Sequence, residues 1–280
     1  MLNSVYLKKQ IAYIVAIIIS LTGYYYFAYK LIRSNFNSLL LCFTGLFLLF
    51  IYLNKKEVRW KTLVLLTIIF RVVFLTAIPN LSQDFYRFIW DGRMLVNGLN
   101  PYLFLPEDYL NSNYIIPNQA AELVKGMGEL NASHYSNYPP LNQLCFAIAA
   151  IISNNNIIGS VVIMRVLIIL SDIGVMYFGT KLLKTLHLNP KAIFLYLLNP
   201  LIIIELTGNL PFEGIMIFFL LWGLYLIKVK KWNIATIPFA SSISLKLIPI
   251  LFLPLFFKQL KNKKLLYFYC IIVIISVLYF

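Results

Sequence analysis

Four charged side chains recur at helical spacing in one short stretch, SQDFYRFIWDGRMLVNGLNPY, residues 82–102. Asp84, Arg87 and Asp91 would share one face of a helix, with Arg93 close behind them. A carboxylate held this way can take a proton from a hydroxyl, and a guanidinium one turn away favours its ionised form. The same arginines could hold an anionic substrate group. A simpler reading is an interfacial anchor with an ordinary Arg87–Asp91 pair. Spacing alone leaves both readings open.

The stretch also predicts its own limits. Ser82 is a suitable N-cap, and Asn97-Gly98 followed by Pro101 is a helix stop. Phe85, Phe88, Ile89 and Trp90 suit the headgroup region, where aromatic rings favour the interface. The expectation is an amphipathic helix lying flat on a membrane surface, with its carboxylates just above the lipid.

The rest of the chain calls for a membrane. Of 280 residues, 61% are hydrophobic and 12% charged, against about a quarter charged in a soluble domain. Long apolar runs predict spans near 11–29, 38–53, 62–78, 157–183, 191–207, 212–228, 233–257 and 265–280. They lack the alternation of barrel strands, so the predicted class is an all-α polytopic membrane protein. Ile11–Tyr29 is read as a retained span, because no short leader with a small-residue cleavage site precedes it.

The net charge of +14 does not point to nucleic acid. The lysines and arginines fall in small clusters between apolar runs: Lys8-Lys9, Lys55 to Lys61, Lys181 to Lys191, Lys228 to Lys231 and Lys258 to Lys264. That is the pattern of cytoplasmic loops. Lys30 and Arg33 run against it. Cys42, Cys145 and Cys270 lie far apart in apolar segments and suggest neither a disulfide nor a metal framework.

The apolar piece at 140–153 sets the topology. At about 14 residues it is short for a span, and if it crossed, two later lysine clusters would fall outside. It is therefore expected to remain extracytoplasmic as a re-entrant or interfacial helix. The chain then divides into an N-terminal hairpin with a cytoplasmic basic loop, 1–61, and a membrane domain, 62–280. The 79–139 connection becomes extracytoplasmic, and it holds six of the ten acidic residues. So long a loop is usually functional.

Other polar residues invite plainer readings. Arg71, Arg165 and Asp172 lie inside predicted spans, where charge is costly, and Arg71 and Asp172 sit at depths that suit a pair. Arg165 with Asp172 is the other possible pairing. Glu205 is either catalytic or a polar residue at a helix end. His134 and His187 have no convincing partners, and Asn131-Ala-Ser133 is a glycosylation sequon that matters only in a eukaryotic secretory context.

The pattern D-x-Y-R-x-x-W-D-G-R…G-x-N-P-Y, here Asp84 to Tyr102, resembles the first outer loop of GT-C fold glycosyltransferases. The similarity is to bacterial polyprenyl-phosphate-dependent mannosyltransferases and to the catalytic subunit of GPI mannosyltransferase I. It continues through YPPLNQL (138–144), LLNPLIIIELTGNLPFEG (197–214) and SLKLIPILFLP (244–254), in the same order. The resemblance implies a GT-C helix bundle and a polyprenyl-phosphate sugar donor. It also implies inverting transfer of a hexose, mannose by this likeness, to an extracytoplasmic glycan or lipid at a bacterial plasma membrane.

By the same resemblance Asp84 matches the essential loop carboxylate, Asn209 the Gly-Asn at a helix end, and Lys246 a lysine before a proline that could meet the donor phosphate. A snorkelling lysine is the plain alternative at 246. The second acid of many relatives is replaced here by Ser82 and Gln83, which leaves a divalent metal or none as the options. Pro211 stands where many relatives have a histidine. The last helices of the family are expected to be missing, since the chain stops at Phe280 within an apolar run. A transporter or lipid-carrier flippase is the alternative function, and would show related halves and broken helices at mid-membrane.

Overall fold

The computed structural model describes residues 2–54, 58–110, 117–154, 156–257 and 262–278, and every regular element among them is helical. The predicted lysines at 55, 56, 258 and 261 lie outside the described residues. The chain runs through α1 (Leu2–Tyr29), α2 (Phe36–Asn54) and α3 (Trp60–Val72), then α4 (Asp84–Val96), α5 (Pro106–Leu110) and α6 (Ala120–Ala132). It continues with α7 (Pro140–Ser153), α8 (Ile157–Thr185), α9 (Ile193–Leu197) and α10 (Pro200–Ile202), and ends with α11 (Glu213–Lys228), α12 (Trp232–Leu245) and α13 (Asn262–Leu278).

Leu7–Tyr29 of α1, α2 and α8 are long and apolar enough to cross a bilayer. A fourth candidate span is bent: Pro190–Leu197 and Pro200–Gly208 meet at 54°. The protein is thus an all-α polytopic membrane protein, and its broken elements depart from the straight spans that hydropathy predicts. α3 stops at Val72, short of the predicted 62–78, and its end turns through residues 73–76. The predicted span at 233–257 is α12 followed by a 3₁₀ segment, Ile248–Phe256. That segment carries Pro249 and Pro254, which lack the N–H a helix ladder needs.

Buried charge repairs these breaks. Pro200 cannot donate, and the Leu201 amide turns to Asn199 Oδ1, so the Leu197 carbonyl lacks its helical partner. Arg71 Nη1 donates to it at 2.8 Å, while Arg71 Nε pairs with Asp172 Oδ2 at 2.7 Å. The expected Arg71–Asp172 pair is therefore present, and both members are buried. Arg165 does not share it. Its guanidinium serves carbonyls at two element ends: Thr207 at 2.8 Å, Gly208 at 3.1 Å and Leu75 at 2.8 Å.

Lysine clusters gather at one end of the bundle, while Arg33, Lys125 and Lys246 stand at the other, near Asp84. Lys191 Nζ reaches the Val58 carbonyl at 3.0 Å and Lys181 lies 5.6 Å from the Tyr225 ring, so the α3, α8 and α11 lysine clusters share one end. At the other end Asn80 Nδ2 donates to the Phe27 carbonyl at 2.8 Å, and Asn142 Nδ2 to the Leu245 carbonyl at 3.3 Å. There α4, α6 and the starts of α7 and α11 gather around the break after α12.

α4 does not lie flat with its rings in lipid, as its sequence predicts. Nine of its thirteen residues are buried in protein, Phe85, Phe88, Ile89 and Trp90 among them. Gly92 explains how closely it sits: a Cβ there would fall 2.3 Å from the Phe146 carbonyl oxygen of α7. Its C-terminus is as expected. Gly98 takes φ +73°, with its amide on the Leu95 carbonyl and the Leu99 amide on that of Met94, a Schellman stop.

Candidate active site

Asp84 opens α4, half-buried, where the chain enters from the 73–83 turn. Gln83 occupies the N-cap position, and Ser82 contributes one residue earlier, its Oγ accepting the Asp84 amide at 3.2 Å. The Asp84 carboxylate accepts from Asn131 Nδ2 at 3.1 Å. That bond commits the sequon asparagine to the site.

Asp84 stands on the wall between two cavities. On one side is a groove of about 580 Å³ bounded by Tyr138, Glu213, Lys246, Leu247 and Ile248. On the other is a pocket of about 320 Å³ bounded by Arg87, Asn131, His134, Ser136 and Asn137. Asn137 and Tyr138 line both. An aromatic stack supports the groove: Phe88 lies parallel to Phe146 with centroids 4.7 Å apart, and Phe212 stands edge-on to both. Such offset and edge-on contacts hold rings in fixed places.

Lys246 reaches the groove because α12 ends one residue before it. Its backbone is extended, φ −161° and ψ 141°, at the junction with the 3₁₀ segment. The predicted interruption at Pro249 therefore falls three residues earlier. Lys246 Nζ forms an ion pair with Glu213, the first residue of α11, and both side chains remain partly exposed. On the lipid side Leu247, Ile248 and Leu251 expose apolar surface, at 62%, 49% and 76%. A charged, solvent-accessible point thus adjoins an apolar flank.

Arg87 does not attend Asp84 as its spacing suggests. Its Nε pairs with Asp91 Oδ1 at 2.8 Å, and its Nη1 donates to the carbonyls of Asn131 and His134 at 3.1 and 2.7 Å. Asp91 is fully buried and also accepts from Ser136 Oγ and from Gln143 Nε2, the latter at 2.8 Å. Burial pushes its carboxyl above the usual range, against the pull of Arg87, Ser136 and Gln143. This is a buried knot that ties α4 to α7 and to the 131–136 segment. The Arg87–Asp91 pair that the sequence offers is thus present, but buried in protein and not exposed at an interface.

Nothing in the sequence marks Tyr138 as a site residue. Burial raises its hydroxyl pKa, as do the charges of Asp84, Asp91 and Glu213, with Arg87 opposing, so it stays a neutral donor at the junction of both cavities. The sequence points to Glu205 and not to Glu213, though both stand in the 197–214 block. Glu205 and Asn209 instead bond each other at 3.1 Å, and Asn209 Oδ1 accepts the Leu81 amide at 3.4 Å. Neither lines the groove or the pocket. Arg93 is also apart: it is buried and donates to the Asn118 carbonyl and, at 3.1 Å, to Gln119 Oε1. Of the predicted residues, Asp84, Arg87 and Lys246 come to these cavities and Asp91 stands behind Arg87.

His134 holds its Nδ1 within 2.6 Å of the Leu130 carbonyl, and His187 sits in the left-handed position that closes α8. Among the described residues no three His, Cys, Asp or Glu side chains gather as a metal would need.

Fold and site together define a polytopic helical membrane protein with a carboxylate poised between a lipid-flanked groove and a polar pocket. The chain belongs to the family described as alpha-(1->6)-mannopyranosyltransferase, N-terminal domain, whose match covers residues 18–260. It is 29% identical over 155 residues to alpha-(1->6)-mannopyranosyltransferase B of Corynebacterium glutamicum, covering 55% of this chain and 24% of that protein. It is 27% identical over 174 residues to alpha-(1->6)-mannopyranosyltransferase A of Mycobacterium tuberculosis, covering 61% and 31%. The C. glutamicum A enzyme is similar at 26% over 192 residues, covering 65% and 36%. The chain thus spans about a quarter to a third of the length of these relatives. No solved structure matches it.

Proposed function

We propose that this chain forms the catalytic part of a membrane mannosyltransferase. It transfers mannose, with inversion, from a polyprenyl-phosphate sugar to a glycan or lipid acceptor on the extracytoplasmic side. One observation carries the reading: Asp84 faces both cavities, and only the groove has a lysine beside exposed apolar surface. A lipid-phosphate donor needs that combination. Its tail can leave along Leu247 and Leu251 while Lys246 faces its phosphate.

The acceptor enters from the polar pocket. Arg87, Asn131, Ser136 and Asn137 line that pocket and give it polar walls suited to a hydroxylated acceptor. Asp84 takes the acceptor hydroxyl proton as that oxygen attacks the anomeric carbon. The bond from that carbon to the phosphate oxygen breaks, and its electron pair leaves with the phosphate. Lys246 stabilises the charge that develops there, after exchanging Glu213 for the phosphate. A single displacement of this kind inverts the anomeric centre. General-base help is worth about 10²- to 10⁴-fold.

The placement of the lysine clusters supports this sidedness. The lysine clusters share the end remote from Asp84, as a cytoplasmic face would require. α7, whose first turn meets the end of α12 near the groove, is inferred to stay on the Asp84 side.

Membranes containing the chain should form a mannosylated product from labelled polyprenyl-phosphate mannose, and none from a sugar nucleotide alone. Lipid-carrier movement without transfer would favour the flippase alternative. In the same membranes a single cysteine at Asn137 should react with an impermeant thiol reagent from outside, and one at Lys230 should not.

A further inference from the structure

The end of the bundle remote from Asp84 holds a cavity of about 520 Å³, which shares no lining residue with the groove. Lys230 and Lys231, from the turn between α11 and α12, meet Lys264, from the first turn of α13, around it. Among the described residues no carboxylate lines the cavity or pairs with any of the three lysines. Three like charges brought from two distant segments repel one another unless an anion lies between them.

The turn itself does not require these residues. The Lys231 amide bonds the Leu226 carbonyl and the Lys230 amide that of Ile227, a Schellman closure that puts Lys230 at φ 63°. Glycine takes that conformation without the Cβ penalty, yet a lysine stands there on the cavity rim. Trp232 and Tyr267 form the walls, and Trp232 is held edge-on by Phe256 and Phe268 at 6.2 and 5.9 Å. Beyond the rim the helix faces are apolar and open: Ile234, Ile237 and Leu266 are 53%, 52% and 66% exposed.

We infer that this cavity binds the phosphate of an anionic phospholipid among Lys230, Lys231 and Lys264, with the acyl chains lying along Ile234, Ile237 and Leu266. A basic pocket between helices with aromatic walls is the arrangement that anionic headgroups fit. Scattered topogenic lysines need no cavity, no convergence and no aromatic wall. The inference is independent of the transfer reaction at Asp84.

The test uses the full chain purified in detergent, delipidated and incubated with phosphatidylglycerol, phosphatidylcholine or inorganic phosphate, with bound lipid counted by native mass spectrometry. The parent should retain one phosphatidylglycerol, at least tenfold more tightly than phosphatidylcholine. K264Q leaves the 228–231 cluster in place for insertion and should lose about fivefold, and K230Q/K231Q/K264Q on the order of 100-fold. Equal retention of the two lipids, or K264Q binding like the parent, would overturn the site. Displacement of phosphatidylglycerol by millimolar phosphate would assign the lysines to free phosphate and overturn the lipid assignment.

Discussion

Asp84 and Asp91 lie seven residues apart on one helix, carry the same carboxyl group, and live in opposite circumstances. Asp91 is fully buried and held by Arg87, Ser136 and Gln143. Asp84 is half-buried, with the single Asn131 contact and open space on both sides. A carboxylate with its lone pairs already engaged serves the fold. One with free lone pairs beside two cavities can serve a substrate. The difference arises from position: Asp91 faces α7 in mid-helix, while Asp84 sits at the helix start, where the packing ends.

The sharpest test removes only the proton acceptor. Asp84→Asn should insert and fold as the parent does while transfer falls by about two to four orders of magnitude. Transfer at the parent rate would falsify its role as base. Asp91→Ala should do the reverse. Removing one partner of a buried pair costs about 3–5 kcal/mol, so thermal unfolding in detergent should shift strongly downward, with any activity loss tracking the folded fraction. If Asp91→Ala unfolds like the parent, the division between the two aspartates collapses.

Gly92→Ala presses on the contact that separates their environments. Its Cβ would meet the Phe146 carbonyl at 2.3 Å, and backbone gives way poorly. Overpacking of this kind costs about 1–3 kcal/mol, read as lower stability together with slower transfer, since α4 must move bodily. Unchanged stability would mean that α4 and α7 are not so closely packed. Lys246→Met is expected to act on the donor alone: a hydrogen bond to a charged group is worth about 1.5–3 kcal/mol. Donor use should weaken about 10- to 100-fold in kcat/KM, with stability unaffected because the Glu213 pair is partly exposed. An unaltered kcat/KM for the donor would return Lys246 to a snorkelling role.

Much of this was legible in the residues themselves. Apolar run lengths indicate a helical membrane protein, the Asn97-Gly98 stop ends α4 where expected, and α7 forms at 140–153. A buried pair at Asp172 was legible from depth alone, but the sequence left Arg71 and Arg165 as alternative partners, and the structure selects Arg71. Glu213 and Tyr138 were not legible. Both lie within quoted blocks, yet nothing in those blocks marks them above Glu205 or Asn209, and their importance arises where α11, α12 and the end of the loop converge.

Hydropathy and periodicity by themselves determined that this chain is a helical membrane protein with its acids and lysines segregated by segment. They could not tell whether the apolar side of α4 meets lipid or protein, since both are equally poor solvents for charge and equally good ones for Phe88 and Trp90. Only the tertiary structure decided that α4 is buried. By doing so it enclosed Asp91 with its donors and left Asp84 at the opening, because a carboxylate's availability depends on which neighbours from other segments reach it first.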